Sequence, residues 1–116
     1  MSEMKKIFTS NSMAPVGPYS QAVQVGQHIF VSGQIPADKN GNLVEGSIAD
    51  KTKASCEGMK AILEEAGSSI SKVIKDFAEM NGMYEQYFSH KPARSCVAVK
   101  ELPKGVPVEI EAIALS

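Results

Sequence analysis

The chain lacks a surplus of charge of either sign. Its 116 residues include 12 lysines and arginines and 13 aspartates and glutamates, which gives a net charge of −1. A protein that binds nucleic acid commonly has a surplus of basic residues, and an acidic tail requires a block of acidic residues. The sequence has neither feature, so neither a nucleic-acid partner nor an acidic tail is expected. The apolar runs are far too short to cross a bilayer, so no membrane partner is expected. The length suits one compact domain.

The chain also has few cysteines and no recognisable targeting segment. Residues 1–11 contain two lysines, but neither an apolar stretch of signal-peptide length nor an arginine-rich amphipathic pattern. We therefore expect a cytoplasmic protein, with a mitochondrial address left open. Cys56 and Cys96 lack metal-binding spacing and cannot build a disulfide framework, so both are expected to be thiols in a reducing compartment. His28 and His90 have no metal-like partner, and no metal is expected.

Turn residues and apolar periodicity predict the first half of the fold. Two β-rich runs, Gln21–Val25 and His28–Ser32, are separated by a glycine-containing pair, which is typical of a hairpin. Ser47 and Asp50 stand three residues apart, as in a capping box at the start of a helix. Gly67 is a natural end for that helix. Its core stripe is predicted at Ile48, Thr52, Cys56, Met59, Ile62, Leu63 and Ala66.

The second half predicts another helix and two closing strands. Asp76 and Glu79 repeat the capping signal, and an apolar stripe follows at Phe77, Met80, Met83, Tyr84, Tyr87 and Phe88. The strands are predicted at 95–99 and 106–115. The result is an α+β domain, in which two helices cover one face of a mixed or mostly antiparallel sheet. A domain this small buries limited surface, so oligomerisation with a site between subunits is plausible.

The closing strands contain charged residues among apolar ones. Arg94 opens the first strand and Glu109 lies in the second. A charge in a strand that faces a core is costly unless something pairs with it. The two residues therefore form a structural ion pair or bind a ligand. Glu111 shares a strand face with Glu109, and the residues alone do not decide between the two carboxylates.

Four motifs resemble the reactive-intermediate deaminase A family (RidA/YjgF), in the family's order and over nearly the whole chain. They are Gly17-Pro-Tyr-Ser-Gln-Ala22, Val31-Ser-Gly-Gln-Ile-Pro36, His90-Lys-Pro-Ala-Arg-Ser-Cys96 and Val108-Glu-Ile-Glu-Ala-Ile113. The resemblance implies a chorismate-mutase-like α+β fold and a homotrimer with clefts between subunits. It implies hydrolysis of 2-imino acids or their enamines to 2-oxo acids and ammonia, with no metal or cofactor. The alternative is a non-catalytic, small-carboxylate-binding or chaperone-like module on the same scaffold.

The resemblance also assigns site residues. Arg94 would bind the substrate carboxylate, since the guanidinium fork suits a bidentate contact. Glu109 would position the attacking water, as a carboxylate can orient water and move a proton. The backbone carbonyl of Cys96 would help to hold the water or the substrate. The cleft would be lined by Tyr19, Ser32, Gly33 and Asn81, with Gly33 giving a ligand close access to the backbone.

The chain departs from the family between Lys75 and Asp76. The family pattern has about nine further residues there, enough for a strand and a turn. The single domain, residues 1–116, is therefore predicted to lack one strand of the family's sheet. Three interpretations are open: a deletion that the fold tolerates, a deletion that leaves the protein unstable or inactive, or a segment missing from the printed sequence. The site role of Asn81 depends most on this choice.

Overall fold

The computed structural model describes residues 3–77, 84–95 and 102–116. Within them the sheet has six strands in the order β1-β2-β3-β6-β4-β5, and all neighbours are antiparallel except β4 and β5. The strands are β1 Met4–Ile7, β2 Ala22–Val25, β3 His28–Gln34, β4 Val73–Phe77, β5 Ala93–Ser95 and β6 Ile110–Leu115. The helices are α1 Ile48–Glu65 and α2 Tyr84–Tyr87, with short 3-10 turns at Ile70–Lys72 and Pro103–Gly105.

Helix α1 begins and ends as its sequence predicts. The Ser47 hydroxyl accepts from the Asp50 N–H at 3.1 Å, and the Asp50 carboxylate accepts from the Ser47 N–H at 3.0 Å. These bonds form a capping box, and the hydrogen bonds from Ser47 hold the pKa of the Asp50 carboxyl below its usual value. At the other end Gly67 has a φ of 80° and donates to the Glu64 carbonyl, while the next N–H bonds to the Leu63 carbonyl. This is a Schellman ending.

The core lies between α1 and one face of the sheet. The helix buries Thr52, Ser55, Cys56, Met59, Ile62 and Leu63. The sheet buries Ile7, Ala22, Ile29, Val31, Val73, Ile110, Ala112 and Ala114. The predicted helical stripe is confirmed from Thr52 onward, but Ile48, the first helical residue, is 44% exposed. Helix α2 lies on the same side, since Tyr87 donates to Glu57 of α1 and Phe88 joins the core.

The opposite face of the sheet, here called the open face, is partly apolar. Residues at paired positions of neighbouring strands share a face. One row on the open face consists of Lys6, Val23, Phe30 and Ile113, and the next of Met4, Val25, His28 and Leu115. Exposed fractions are 63% for Met4, 44% for Phe30 and 41% for Leu115. No helix in the described ranges is long and apolar enough to cross a membrane.

Two strand predictions need correction. Strand β1 was not predicted, because only Ile7 of its four residues is buried and no alternation shows in the sequence. Its pairing with the outer edge of β2 makes it a strand. The last strand begins at Ile110 instead of Val106, although Val106 and Val108 are buried. Of the predicted strand at 95–99, only the first residue lies within the described part of the chain.

The shortened junction at Lys75 and Asp76 is also different from the prediction. Asp76 does not start a helix, because it lies with Phe77 inside β4. A strand is present at this junction, since the five residues of β4 pair with β6 on one side and with β5 on the other. Drawing Asp76 and Phe77 into the strand gives the β6 backbone a hydrogen-bonding partner, which outweighs the local preference for a helix cap.

We expect Ser47→Ala to lower the free energy of unfolding by about 1 kcal/mol, because the capping box loses its serine oxygen. Urea denaturation at pH 7 measures the change. The contribution of the Asp50 carboxylate to the stability of the fold is fully present above the ordinary carboxyl pKa. It is lost as the pH falls through the lowered pKa that Asp50 has in the folded protein. The difference between wild type and Ser47→Ala should therefore narrow in acid. The exposed serine variant Ser89→Ala is the control, and an equal loss in both variants would contradict the capping argument.

Candidate active site

The site is built on a β-bulge between β3 and β6. Val31 pairs with Ala112 and Gln34 pairs with Ile110, so the register shifts between these two pairs. Two residues of β3, Ser32 and Gly33, therefore oppose the single residue Glu111 of β6. A bulge bends its strand and changes the direction of side chains, and bulges are common beside active sites.

Gly33 is required for space. A Cβ atom at this position would lie 2.5 Å from the Glu109 Cδ and 2.6 Å from its Oε2. The backbone of Gly33 does not have a positive φ, so conformational freedom is not the reason for glycine. The Glu109 side chain thus lies directly against the bulge. The atoms that approach Gly33 closely are those of Glu109, and the access of a ligand to the Gly33 backbone stays a prediction.

Ser32 is fixed by the loop that precedes β2. Its N–H donates to the Gln21 carbonyl at 2.9 Å, and its hydroxyl donates to the Ser20 carbonyl at 2.6 Å. The same loop positions Tyr19, whose N–H donates to the Gly17 carbonyl at 2.9 Å. The proline- and glycine-containing segment therefore holds Tyr19 next to the strand that carries Ser32.

A groove of about 580 Å³ opens between this loop and the open face. Small-molecule sites commonly have volumes of about 300–1,000 Å³. Tyr19 and Ser32 line the groove. Its wall also includes Glu111, which the sequence left as an alternative to Glu109. Further lining comes from Lys6, Phe30 and Ile113. The groove therefore combines an apolar floor with a few polar groups.

Arg94 lies away from this groove within one chain. It sits in β5 at the edge of the sheet and pairs with Asp76, which in turn pairs with Ala112 of β6. Two strand spacings, about 10 Å, separate β5 from β6. Arg94 is exposed and is not among the residues that line the groove. The structure places Glu109 against Gly33 and places Tyr19 and Ser32 on the wall of the groove, while Arg94 lies on the edge strand β5.

Two of the predicted site residues, Asn81 and Cys96, lie outside the described residues. Among those that are described, no group of three or more histidines, cysteines, aspartates or glutamates has a metal-binding arrangement. Sequence reasoning missed two buried amides, Gln21 and Gln34, which are 2% and 7% exposed. Each is the one amide residue inside its quoted motif, and this was the signal available for finding them.

A family described as Endoribonuclease L-PSP, which is the YjgF/RidA family, has a model that matches residues 9–116. The chain belongs to this family. The resemblance found in the sequence motifs is thereby confirmed. A RutC family protein of Pyrococcus abyssi is 51% identical, with 93% of this chain and 94% of the relative covered. The 2-iminobutanoate/2-iminopropanoate deaminase of Salmonella typhimurium is 41% identical, with 96% and 97% covered.

Solved structures share the fold. The yeast protein YEO7 matches with a TM-score of 0.95 at 42% identity, over 98% of this chain and 99% of that one. Escherichia coli TdcF, in a crystal structure with bound serine, matches with a TM-score of 0.88 at 36% identity, over 97% and 98%. The α+β fold class predicted from the sequence is confirmed.

The alignments with these relatives are longer than this chain. The alignment with the Pyrococcus abyssi relative extends over 119 residues, and that with the Salmonella deaminase over 124. Both exceed the 116 residues of this chain. The relatives therefore have residues at positions where this chain has none.

We expect Gly33→Ala to lower the free energy of unfolding by about 1–3 kcal/mol, because the new methyl group overlaps the Glu109 side chain. In a Glu109→Ala background the methyl group has room, and the same change should cost little. Denaturation of the two single variants and the double variant gives the coupling energy, expected at about 0.5–3 kcal/mol. Additive effects of the two changes would mean that Glu109 does not pack against Gly33.

Proposed function

We propose that this protein hydrolyses reactive 2-imino acids, such as 2-iminobutanoate and 2-iminopropanoate, or their enamine tautomers, to 2-oxo acids and ammonia. The observation that carries the proposal is the Glu109 carboxylate held against Gly33, next to a groove lined by Tyr19 and Ser32. Family members named for this activity align over nearly the whole chain, which supports the same chemistry here.

Glu109 would act on the water. A carboxylate within hydrogen-bond reach of a water molecule orients it and takes its proton as the oxygen bonds to the imine carbon. The electron pair of the C=N bond moves to nitrogen, and Glu109 passes the water proton to it, which leaves a carbon that carries hydroxyl and amino groups. Glu109 then takes the hydroxyl proton as the carbonyl forms and gives it to the nitrogen as the C–N bond breaks, so that ammonia leaves. The reaction consumes one water and needs no oxidant or reductant.

Arg94 would bind the substrate carboxylate. It is the single arginine of the chain, and it is exposed on the edge strand β5. A guanidinium binds a carboxylate through two parallel hydrogen bonds, which fixes the orientation of the imine carbon as well as binding the anion. Cys96, through its carbonyl, and Asn81 would complete the pocket. No metal or cofactor takes part in this proposal.

A homotrimer would complete the site. The open face carries large exposed apolar side chains, and an apolar surface of this kind is typical of a protein interface. Arg94 does not line the groove within one chain, so a neighbouring copy is the natural source of the carboxylate-binding group. An inter-subunit cleft would then join Arg94 of one copy to Tyr19 and Ser32 of another.

A non-catalytic binding module is the second candidate. The serine bound to TdcF favours a small carboxylate as the ligand in either case. A ribonuclease activity, which the family description suggests, gains no support from a net charge of −1. The deciding assay couples the protein to a threonine or serine dehydratase and follows ammonia or 2-oxo acid release. Binding of 2-oxobutanoate without any acceleration of hydrolysis would favour the binding module.

We expect Arg94→Ala to lower kcat/KM for imine hydrolysis at least about a hundredfold, because it removes a charge-assisted bidentate contact worth about 3 kcal/mol. Arg94→Lys should fall between this variant and wild type, since a lysine offers a point charge without the fork. Glu109→Gln should lose turnover but still bind 2-oxobutanoate.

The coupled dehydratase assay measures these losses, and sedimentation should show an unchanged oligomeric state. Lys39→Ala, which removes an exposed cation from a turn, is the control and should keep wild-type activity. Wild-type turnover by purified Arg94→Ala would remove Arg94 from the proposed site.

We expect Phe30→Glu to convert the trimer to monomers, because it places a charge in the middle of the open face. Light scattering after size-exclusion chromatography measures the mass. Ile48→Glu is the matched control, since Ile48 and Phe30 are both 44% exposed and Ile48 lies at the start of α1. A monomeric wild type, or equal dissociation in both variants, would refute the open face as the interface.

A further inference from the structure

A buried amide, Gln34, connects the bulge to the N-terminal loop. Gln34 is the last residue of β3 and is only 7% exposed. Its Nε2 donates to the Ser32 carbonyl at 3.1 Å, and its Oε1 accepts from the Ser12 hydroxyl at 3.3 Å. Ser12 is itself 5% exposed. Both ends of the amide are therefore engaged, and the hydrogen bond to Ser12 is buried while the one to Ser32 is part-buried.

Helix α1 confines this amide from the other side. A Cβ atom at Gly58 would lie 3.1 Å from the Gln34 Oε1 and 3.1 Å from the Ser12 Oγ. The Gly58 backbone is thus in close contact with the Ser12–Gln34 hydrogen bond. Because the helix allows the amide little room, Gln34 is held in the rotamer that reaches Ser32.

These contacts fix the bulge on three sides. The Ser32 N–H and hydroxyl donate to the carbonyls of Gln21 and Ser20, and its carbonyl accepts from Gln34. A bulge interrupts the regular ladder of the sheet, so its backbone depends on partners of this kind. The next residue, Gly33, is the surface against which the Glu109 side chain lies. A change at Gln34 that shifts the backbone of Ser32 would therefore also shift Gly33, the residue against which the Glu109 carboxylate packs.

We propose that Gln34 is a positioning residue for the reaction. It fixes the position of the Ser32–Gly33 bulge, and the bulge in turn orients the Glu109 carboxylate toward the attacking water. This inference rests on the proposed function, and it assigns Gln34 no contact with substrate. Its consequence is specific: loss of the amide impairs turnover more than it impairs binding of the carboxylate ligand.

The test compares Gln34→Met with wild type. Methionine has a similar length and removes both hydrogen bonds. We expect kcat to fall at least about tenfold, since misplacement of a reacting group by about 1 Å can cost a hundredfold. The Kd for 2-oxobutanoate, measured by calorimetry, should change less than about threefold, because the carboxylate is held elsewhere. Gln24→Met, in the neighbouring strand β2, is the control and should keep wild-type kcat and Kd.

A second variant acts on the amide from the helix. Gly58→Ala raises the helix propensity of α1 and so should fold even if Gln34→Met does not. Its methyl group presses on the Gln34 amide, and we expect a fall in kcat with Kd preserved. Ser12→Ala leaves the bond to Ser32 in place and should have the smallest effect of the three.

The outcomes separate this proposal from the proposed function. If wild type hydrolyses imines and folded Gln34→Met keeps kcat within about twofold, the positioning role is refuted. Equal losses in kcat and binding would mean a structural role only. If wild type has no deaminase activity, the proposed function fails. Crystal structures of wild type and Gln34→Met then decide whether Gln34 positions the Glu109 carboxylate. Movement of the Glu109 carboxylate away from Gly33 supports the positioning role, and an unchanged carboxylate refutes it.

Discussion

The register shift between β3 and β6 is the constraint on which the site depends. Without it, Ser32 and Gly33 would each face a separate partner on β6, and the Glu109 side chain would have no recess in the sheet. The shift is stabilised by polar groups buried between the sheet, α1 and the N-terminal loop, because a bulge needs hydrogen-bond partners that a regular ladder supplies by itself. The core on one face of the sheet thus supports chemistry on the other.

The two faces of the sheet differ in composition and in what covers them. The face under α1 is closed and apolar, with a few buried hydroxyls and amides that hold loops in place. The open face combines apolar side chains with Lys6 and Glu111, and it carries the groove. In a single chain, the large apolar side chains of this face are exposed to water. The proposed trimer would cover this apolar surface, and the proposed inter-subunit site would add the residues that the groove lacks within one chain.

The junction at Lys75 and Asp76 shows where local sequence reasoning fails. Asp76 and Glu79 carry a good capping signal, yet Asp76 lies in β4. The edge of β6 offers a row of backbone groups that need partners, and this long-range demand outweighs a local preference of a few tenths to one kcal/mol. The sequence could not show β1 for the same reason, since pairing with β2 defines it more than its own pattern does.

The sequence by itself determined the hairpin, the capping box and Schellman ending of α1, most of its buried stripe and the family, because these follow from local patterns and short motifs. It also named Tyr19 and Ser32, which line the groove, and Gly33 and Glu109, which lie in close contact. Only the tertiary structure decided that Gly33 is needed to make room for Glu109, that Gln34 connects the bulge to Ser12, and that Arg94 lies at the sheet edge. Each depends on the register of strands far apart in the chain, which no local pattern encodes.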